Sequence, residues 1–280
     1  MHSGAACGLR AERLRDRTGT GDKIGTWVCE RRGSGMTFEI SYNWVQTTRI
    51  PARRTEPIPP PGVLIDAYVR HSLEIDSRHN AQTIDDVAAL RRKYATPLLG
   101  RVSPWSVVES LGRCIDPTDQ RLYCASQHLH ILQIIDAMEE EGAASDEMVL
   151  VALVHDLGKV LLLTDEAPEN IVCMNRPIRV CAPGEGLDNC VFQWNHDEFA
   201  YSRLKDYLPD PLGWLVRYHS IVPETCEPYM DARDRDYYQR YLVPFSRYDH
   251  GTKSPFYLPK RRLADYRHVV ERALPASIAF

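Results

Sequence analysis

The sequence predicts an all-α fold: a bundle of helices closed around a metal centre, preceded by an N-terminal arm of low order. Three observations predict it. Apolar residues recur at helical spacing nearly everywhere from Val63 onward, alternating strand patterns are scarce, and imidazole and carboxylate groups sit inside the most apolar helices. A chain of 280 residues is long enough to bury a substantial core. Its net charge of -4 gives no sign of a surface built for nucleic acid or anionic membranes, and no apolar run approaches the roughly 20 residues that span a bilayer.

Residues 1–62 are rich in Arg, Gly, Ser and Thr, lack a sustained period, and end in RTEPIPPPG, which favours extended polyproline geometry. They read as a low-order arm and linker ahead of a catalytic domain over 63–280. Glu12, Asp16 and Asp22 interrupt the basic residues, which argues against a transit peptide. The eight cysteines form no CxxC pair and read as reduced thiols of a cytoplasmic protein.

Helices follow in order. Over 82–95, Ile84, Val87, Leu90 and Tyr94 share one stripe. Over 103–114, Ser103 and Pro104 form an N-terminal signal. The segment 126–142 stops at Gly142. The next helix opens at Ser145, with Asp146 and Glu147 in its first turn, and is expected to run unbroken through Leu163. A loop rich in Pro, Gly and Asn spans 166–189. Further helices are expected at about 190–208, 211–221, 234–249 and 260–273, with no internal repeat.

The stretch VALVHDLGKVLLL, 151–163, carries the chemistry. Burying His155, Asp156 and Lys159 among aliphatic residues costs several kcal/mol unless something pairs with them. Imidazole and carboxylate suit iron, manganese or zinc. Lys159 lies four residues beyond His155 and three beyond Asp156, over the same patch of helix surface. His128 and His130 are two apart, so only one of them can face the site, and His130 has the more apolar setting. His196 in WNHDEF, His219 in RYHS and Asp249 in SRYDHGTK complete the candidate set. A His…His-Asp…Asp order marks the HD-domain superfamily. The two further histidines provide for a second metal, bridged to the first by the two oxygens of Asp156.

With these motifs in place, the chain resembles the myo-inositol oxygenases from about Gln82 to Pro275. The resemblance is carried by QTIDDVAALRRKYA, SPWSVVESLGRCIDPTD, HILQ, LVHDLGKVLLL, GLDNCVFQWNHDEF, VRYHS and SRYDHGTK. It implies an HD-domain fold with two iron ions as an Fe(II)/Fe(III) pair and O2 as co-substrate. The reaction implied cleaves the myo-inositol ring to D-glucuronate, a step of inositol catabolism. By motif, His130, His155, Asp156, His196, His219 and Asp249 match the iron ligands. Lys159, Ser220, Lys253 and His219 match groups at the polyol, and Lys159 is the catalytic candidate. The partner implied is a small polyol, acted on by a monomer without nucleic acid or membrane.

Departures fall at Arg113-Cys114-Ile115, where the family has an acidic, serine-containing stretch, and at Cys173-Met174, where it has a Gly-Asp pair. The loop between Asp156 and His196 is shorter than in animal enzymes, and the arginine-containing N-terminal segment has no counterpart. Two other activities share parts of the pattern. One is a related di-iron oxygenase of another polyol or a hydroxy-phosphonate, for which Arg113 and Arg179 are candidate anion contacts. The other is an HD-type metal-dependent phosphohydrolase.

Overall fold

A computed structural model of the chain describes the backbone of residues 8–11, 25–30, 37–42 and 61–280, and the side chains of residues 66–280. Two compact units divide it, Met1–Ile58 and Pro59–Phe280. In the first, β1 (Gly8–Ala11), β2 (Gly25–Glu30) and β3 (Thr37–Tyr42) form an antiparallel sheet in the order β1-β2-β3. The rest of the expected low-order arm lies outside the described residues.

The second unit is helical. It opens with α1 (Pro61–Asn80) and α2 (Ile84–Lys93), the latter started by a reciprocal cap in which Thr83 and Asp86 each satisfy the other's backbone N–H. Strand β4 (Arg101–Val102) and α3 (Pro104–Ser110) follow, with Pro104 at the first helical position. A 3-10 turn over Leu111–Arg113 then leads toward α4 (Gln127–Glu140).

Helix α5 (Asp146–Val154) is apolar on every side, and Val149 to Val154 are all buried. A helix without a polar face belongs inside the protein, and each such aliphatic side chain contributes roughly 1.5–3 kcal/mol on burial. The expected unbroken helix through Leu163 is corrected here. The α-helix stops at Val154, Asp156 takes φ -93° and ψ 10°, and Leu157–Leu163 continue as a 3-10 helix. That tighter winding brings residues i and i+3 into register, so Lys159 stands directly over Asp156.

After the 3-10 turn Pro168–Asn170, β5 (Pro177–Arg179) pairs antiparallel with β6 (Val191–Phe192). This pairing corrects the helix expected from 190. Residues 191 and 192 are held in a ladder, Asn195 is the N-cap, and α6 runs only over His196–Leu204. Next come α7 (Asp210–Tyr218), α8 (Pro223–Cys226) and α9 (Ala232–Tyr237). A π-helical turn, Tyr238–Leu242, feeds α10 (Val243–Gly251) without a break. Helix α11 (Arg267–Ala273) and β7 (Ile278–Ala279) close the unit, with β7 pairing onto β4.

Candidate metal centre

Six side chains converge from five elements. His130 comes from the first turns of α4, His155 caps the C-terminus of α5, and Asp156 follows it in the break before the 3-10 helix. His196 is the first residue of α6, His219 caps the C-terminus of α7, and Asp249 lies in the last turn of α10. All six are buried. Two helix C-termini therefore point at one spot, and their partial negative charge favours a cation there.

Asp156 stands at the centre. Its Oδ2 lies 3.3 Å from His155 Nε2 and 3.9 Å from His130 Nε2. Its Oδ1 lies 3.1 Å from His196 Nε2 and 3.5 Å from His219 Nε2. One carboxylate thus presents one oxygen to each of two imidazole pairs. Asp249 Oδ1, 2.9 Å from His130 Nε2, joins the first pair. The groups His130–His155–Asp156 and Asp156–His196–His219 each bring their ligand atoms within 4.8 Å of one another, which suits a single ion in each.

Backbone carbonyls set the imidazole tautomers. His155 Nδ1 donates to Ala152 O at 3.0 Å, and His219 Nδ1 donates to Val216 O at 3.0 Å. His196 Nδ1 donates to Ile171 O at 2.6 Å. A carbonyl only accepts, so each Nδ1 carries a proton and each Nε2 faces inward. His155 Nε2 is buried without a hydrogen-bond partner, and His196 Nε2 and His219 Nε2 face each other at 3.3 Å. Converging Nε2 atoms of this kind, which give up any proton to a metal, fit a divalent ion of the iron, manganese or zinc type.

Charge follows the same plan. Burial pushes the Asp156 and Asp249 carboxyls up, but Lys159 and His155 beside the first, and Lys253 and His130 beside the second, hold both well below the carboxylate range. Burial, together with Lys253, pulls His130 down to about 4, against the pull of Asp249, so the imidazole is neutral. Burial also works against charge on His196, yet the Asp197 and Asp156 carboxylates push it up to about 10. In the metal-free protein a proton at His196 answers the excess negative charge.

Lys159 and Lys253 sit between the candidate ligand aspartates and the loop after α3. Lys159 Nζ lies 3.0 Å from Asp156 Oδ2 and 3.0 Å from Asp116 Oδ2, with Gln127 Oε1 at 3.4 Å. Lys253 Nζ lies 2.7 Å from Asp119 Oδ2 and 3.6 Å from Asp249 Oδ1. Burial lowers the Lys159 ammonium, but Asp156 and Asp116 outweigh it and raise its pKa well above the usual lysine value. Lys159 is therefore a fixed positive charge rather than a base.

The structure brings all six candidate ligands together, with Lys159 and Lys253 beside them. Ser220 lies beside them against Asp197: its hydroxyl donates to Asp197 Oδ2 at 2.5 Å and accepts from Asn175 N at 3.2 Å. His128 faces away, its Nε2 against Val108 O at 3.0 Å. Of the departing residues, Arg113 and Met174 are exposed, as is Arg179. Sequence reasoning missed Asp116, Asp119, Gln127 and Asp197. A second His-Asp dipeptide inside WNHDEF and the two acids of DPTD were the available signals.

Comparison with known proteins points one way. A family model described as "Myo-inositol oxygenase" matches residues 69–176 and 172–280. Among relatives, "Inositol oxygenase 1" of Arabidopsis thaliana is 29% identical over 215 residues, covering 63% of this chain and 68% of its own. "Inositol oxygenase 2" of the same plant is 28% identical over 241 residues, covering 72% and 75%. "Inositol oxygenase" of Bos taurus is 25% identical over 178 residues, covering 52% and 62%.

Proposed function

Because the chain belongs to the myo-inositol oxygenase family, we propose that it binds two iron ions and uses O2 to cleave myo-inositol to D-glucuronate. The observation that carries this reading is Asp156, with one oxygen toward His130 and His155 and the other toward His196 and His219. One half-site would be held by His130, His155, Asp156 and Asp249, the other by Asp156, His196 and His219. Iron bound there supplies Lewis-acid polarisation of substrate oxygens and electron exchange with O2. Ring cleavage to the acid is a four-electron oxidation balanced by one O2, with one water released, so no organic reductant is needed.

The chain's own groups divide the remaining work. Lys159 stays protonated between Asp156 and Asp116, and its charge favours the alkoxide of a hydroxyl brought beside it. Lys253, held by Asp119 and Asp249, orients a neighbouring hydroxyl. The buried setting keeps bulk water away from the reacting groups and strengthens both effects. The candidate anion contacts for a hydroxy-phosphonate, Arg113 and Arg179, are both exposed.

Anaerobic reconstitution with iron, followed by electron paramagnetic resonance with and without myo-inositol, tests the reading. It expects a mixed-valent signal that changes when the polyol is added. A signal indifferent to myo-inositol overturns the assignment of substrate.

A further inference from the structure

Away from the metal centre, the described residues bring one pair of cysteines into direct contact. Cys181 Sγ and Cys190 Sγ lie 3.2 Å apart, both as free thiols. They stand at the two ends of the loop 182–189, which joins β5 to β6. Arg179 pairs with Val191 in that ladder, so the strands draw the chain together just before Cys181 and just after Cys190. The turn fixes the sulfurs further. Cys181 N–H donates to Cys190 Sγ at 3.4 Å, and Cys181 Sγ donates to Gly186 O at 3.3 Å. Gly186 takes φ 100°, which favours glycine, and so folds its carbonyl back across the loop.

The two thiols differ in access. Cys181 is half-buried and Cys190 is buried, so a reagent from solution meets Cys181 first. Cys114, Cys173 and Cys226 are also buried, with no second cysteine beside them among the described residues. The loop itself is docked on two helices. Asp188 accepts from Arg217 and Tyr218, the two residues before His219, and Leu187 N–H donates to Asp234 Oδ2 at 2.7 Å.

We propose that Cys181 and Cys190 are a dithiol–disulfide site, oxidised by exchange with a small disulfide of the glutathione class, and that the bond locks the loop 182–189 in its docked position. The Cys181 thiolate attacks one sulfur of oxidised glutathione, forms a mixed disulfide and expels one glutathione thiolate. The Cys190 thiolate then attacks Cys181 Sγ and expels the second. The protein pair loses two electrons and two protons, and the oxidised glutathione gains both to become two thiols. An excess of reduced glutathione runs the same steps backwards. Closing the sulfurs to a bond of about 2.05 Å needs a shift of only about 1.2 Å. Burial and the contact with Cys190 push the Cys181 thiol up to about 11, so exchange is slow at neutral pH and faster in alkaline buffer.

Exchange equilibria of the full chain with oxidised and reduced glutathione are the test. They are run in mildly alkaline native buffer and again in urea, then quenched with acid, alkylated and mapped by peptide mass spectrometry. The main native product should be an intrachain Cys181–Cys190 disulfide lacking two hydrogens, with Cys114, Cys173 and Cys226 still alkylatable once unfolded. Its equilibrium constant should exceed that of the unfolded chain by at least about 10-fold, because the fold holds the sulfurs together before the bond forms. Cys190→Ser should retain one glutathione on Cys181, since no second thiol can expel it. Hydrogen exchange at the Leu187 and Asn189 amides should slow by at least about 10-fold in the disulfide form.

A native constant equal to or below the unfolded one overturns the proposal. So does wild-type protein that accumulates glutathione on Cys181 without closing the bond. Equal amide exchange in the dithiol and disulfide forms overturns the lock. Should Cys190→Ser fail to fold, the ratio of the two wild-type constants decides alone.

Discussion

Gly158→Ala is the smallest change that should break the centre, because it adds one carbon where the chain has no room. A Cβ at 158 would lie 2.0 Å from the His196 carbonyl oxygen and 2.7 Å from both His196 C and Cα. A carbon–oxygen contact requires about 3.3 Å, so one backbone must retreat by at least about 1.3 Å. The obstacle is main chain rather than the end of a mobile side chain. That main chain starts α6 and is anchored by the His196 N–H to Ile171 O at 2.7 Å. Forced overpacking of this kind costs about 1–3 kcal/mol, and the full upper end is expected here.

The displaced residue is itself a candidate ligand, with His196 Nε2 only 3.1 Å from Asp156 Oδ1. A shift of about 1 Å in a reacting array costs on the order of 100-fold in rate. Urea unfolding of the metal-free protein, metal per chain and initial rate should therefore all fall together. A Gly158→Ala protein with wild-type unfolding midpoint and full metal content would show that the packing of the 3-10 helix on α6 does not set the second half-site.

Other outcomes follow from the same contacts. Lys159→Ala should abolish most turnover while metal content stays intact. It should also destabilise the metal-free protein by about 3–5 kcal/mol, because it strands the buried Asp116 and Asp156. Added Mn(II) should recover part of that loss in urea melts, since a cation then answers Asp156. Asp119→Asn frees Lys253 from its closest partner and should raise the KM for polyol more than it lowers kcat. Burial raises Asp188, but Arg233, Tyr218 and Arg217 outweigh it and hold the carboxyl below its ordinary value. A depressed carboxylate stabilises the fold above its unfolded value of about 3.9, and that contribution is lost as pH falls through the folded value. Wild-type stability should therefore drop below about pH 4, and Asp188→Asn should flatten that drop in pH-dependent urea melts. Removing metal with a chelator should lower the Tm, and restoring free ion to 100 times its Kd should return about 2.7 kcal/mol.

Most of the centre was legible because its residues violate the pattern around them. His130, His155, Asp156, His196, His219 and Asp249 are polar groups at positions that helical spacing assigns to the interior, and the structure collects them at one point. What could not be read depends on contacts between distant segments. The break at His155-Asp156 looks like uninterrupted helix in sequence, since Gly158 is the one weak helix former there and apolar spacing runs on through Leu163. The start of α6 is set by β6 pairing with β5, a ladder two residues long. Asp116 and Asp119 gain meaning only when the loop after α3 meets Lys159 and Lys253, the latter 134 residues away. Asp197 was visible as a repeat of the His-Asp dipeptide, but its orientation depends on Ser220, 23 residues on.

Oxygen uptake by the iron-reconstituted protein, followed together with product analysis, addresses the central claim most directly. With myo-inositol present, consumption of one O2 for each D-glucuronate formed is the predicted result. Release of phosphate from a phosphodiester by the same preparation, with no O2 consumed in the presence of myo-inositol, would contradict it.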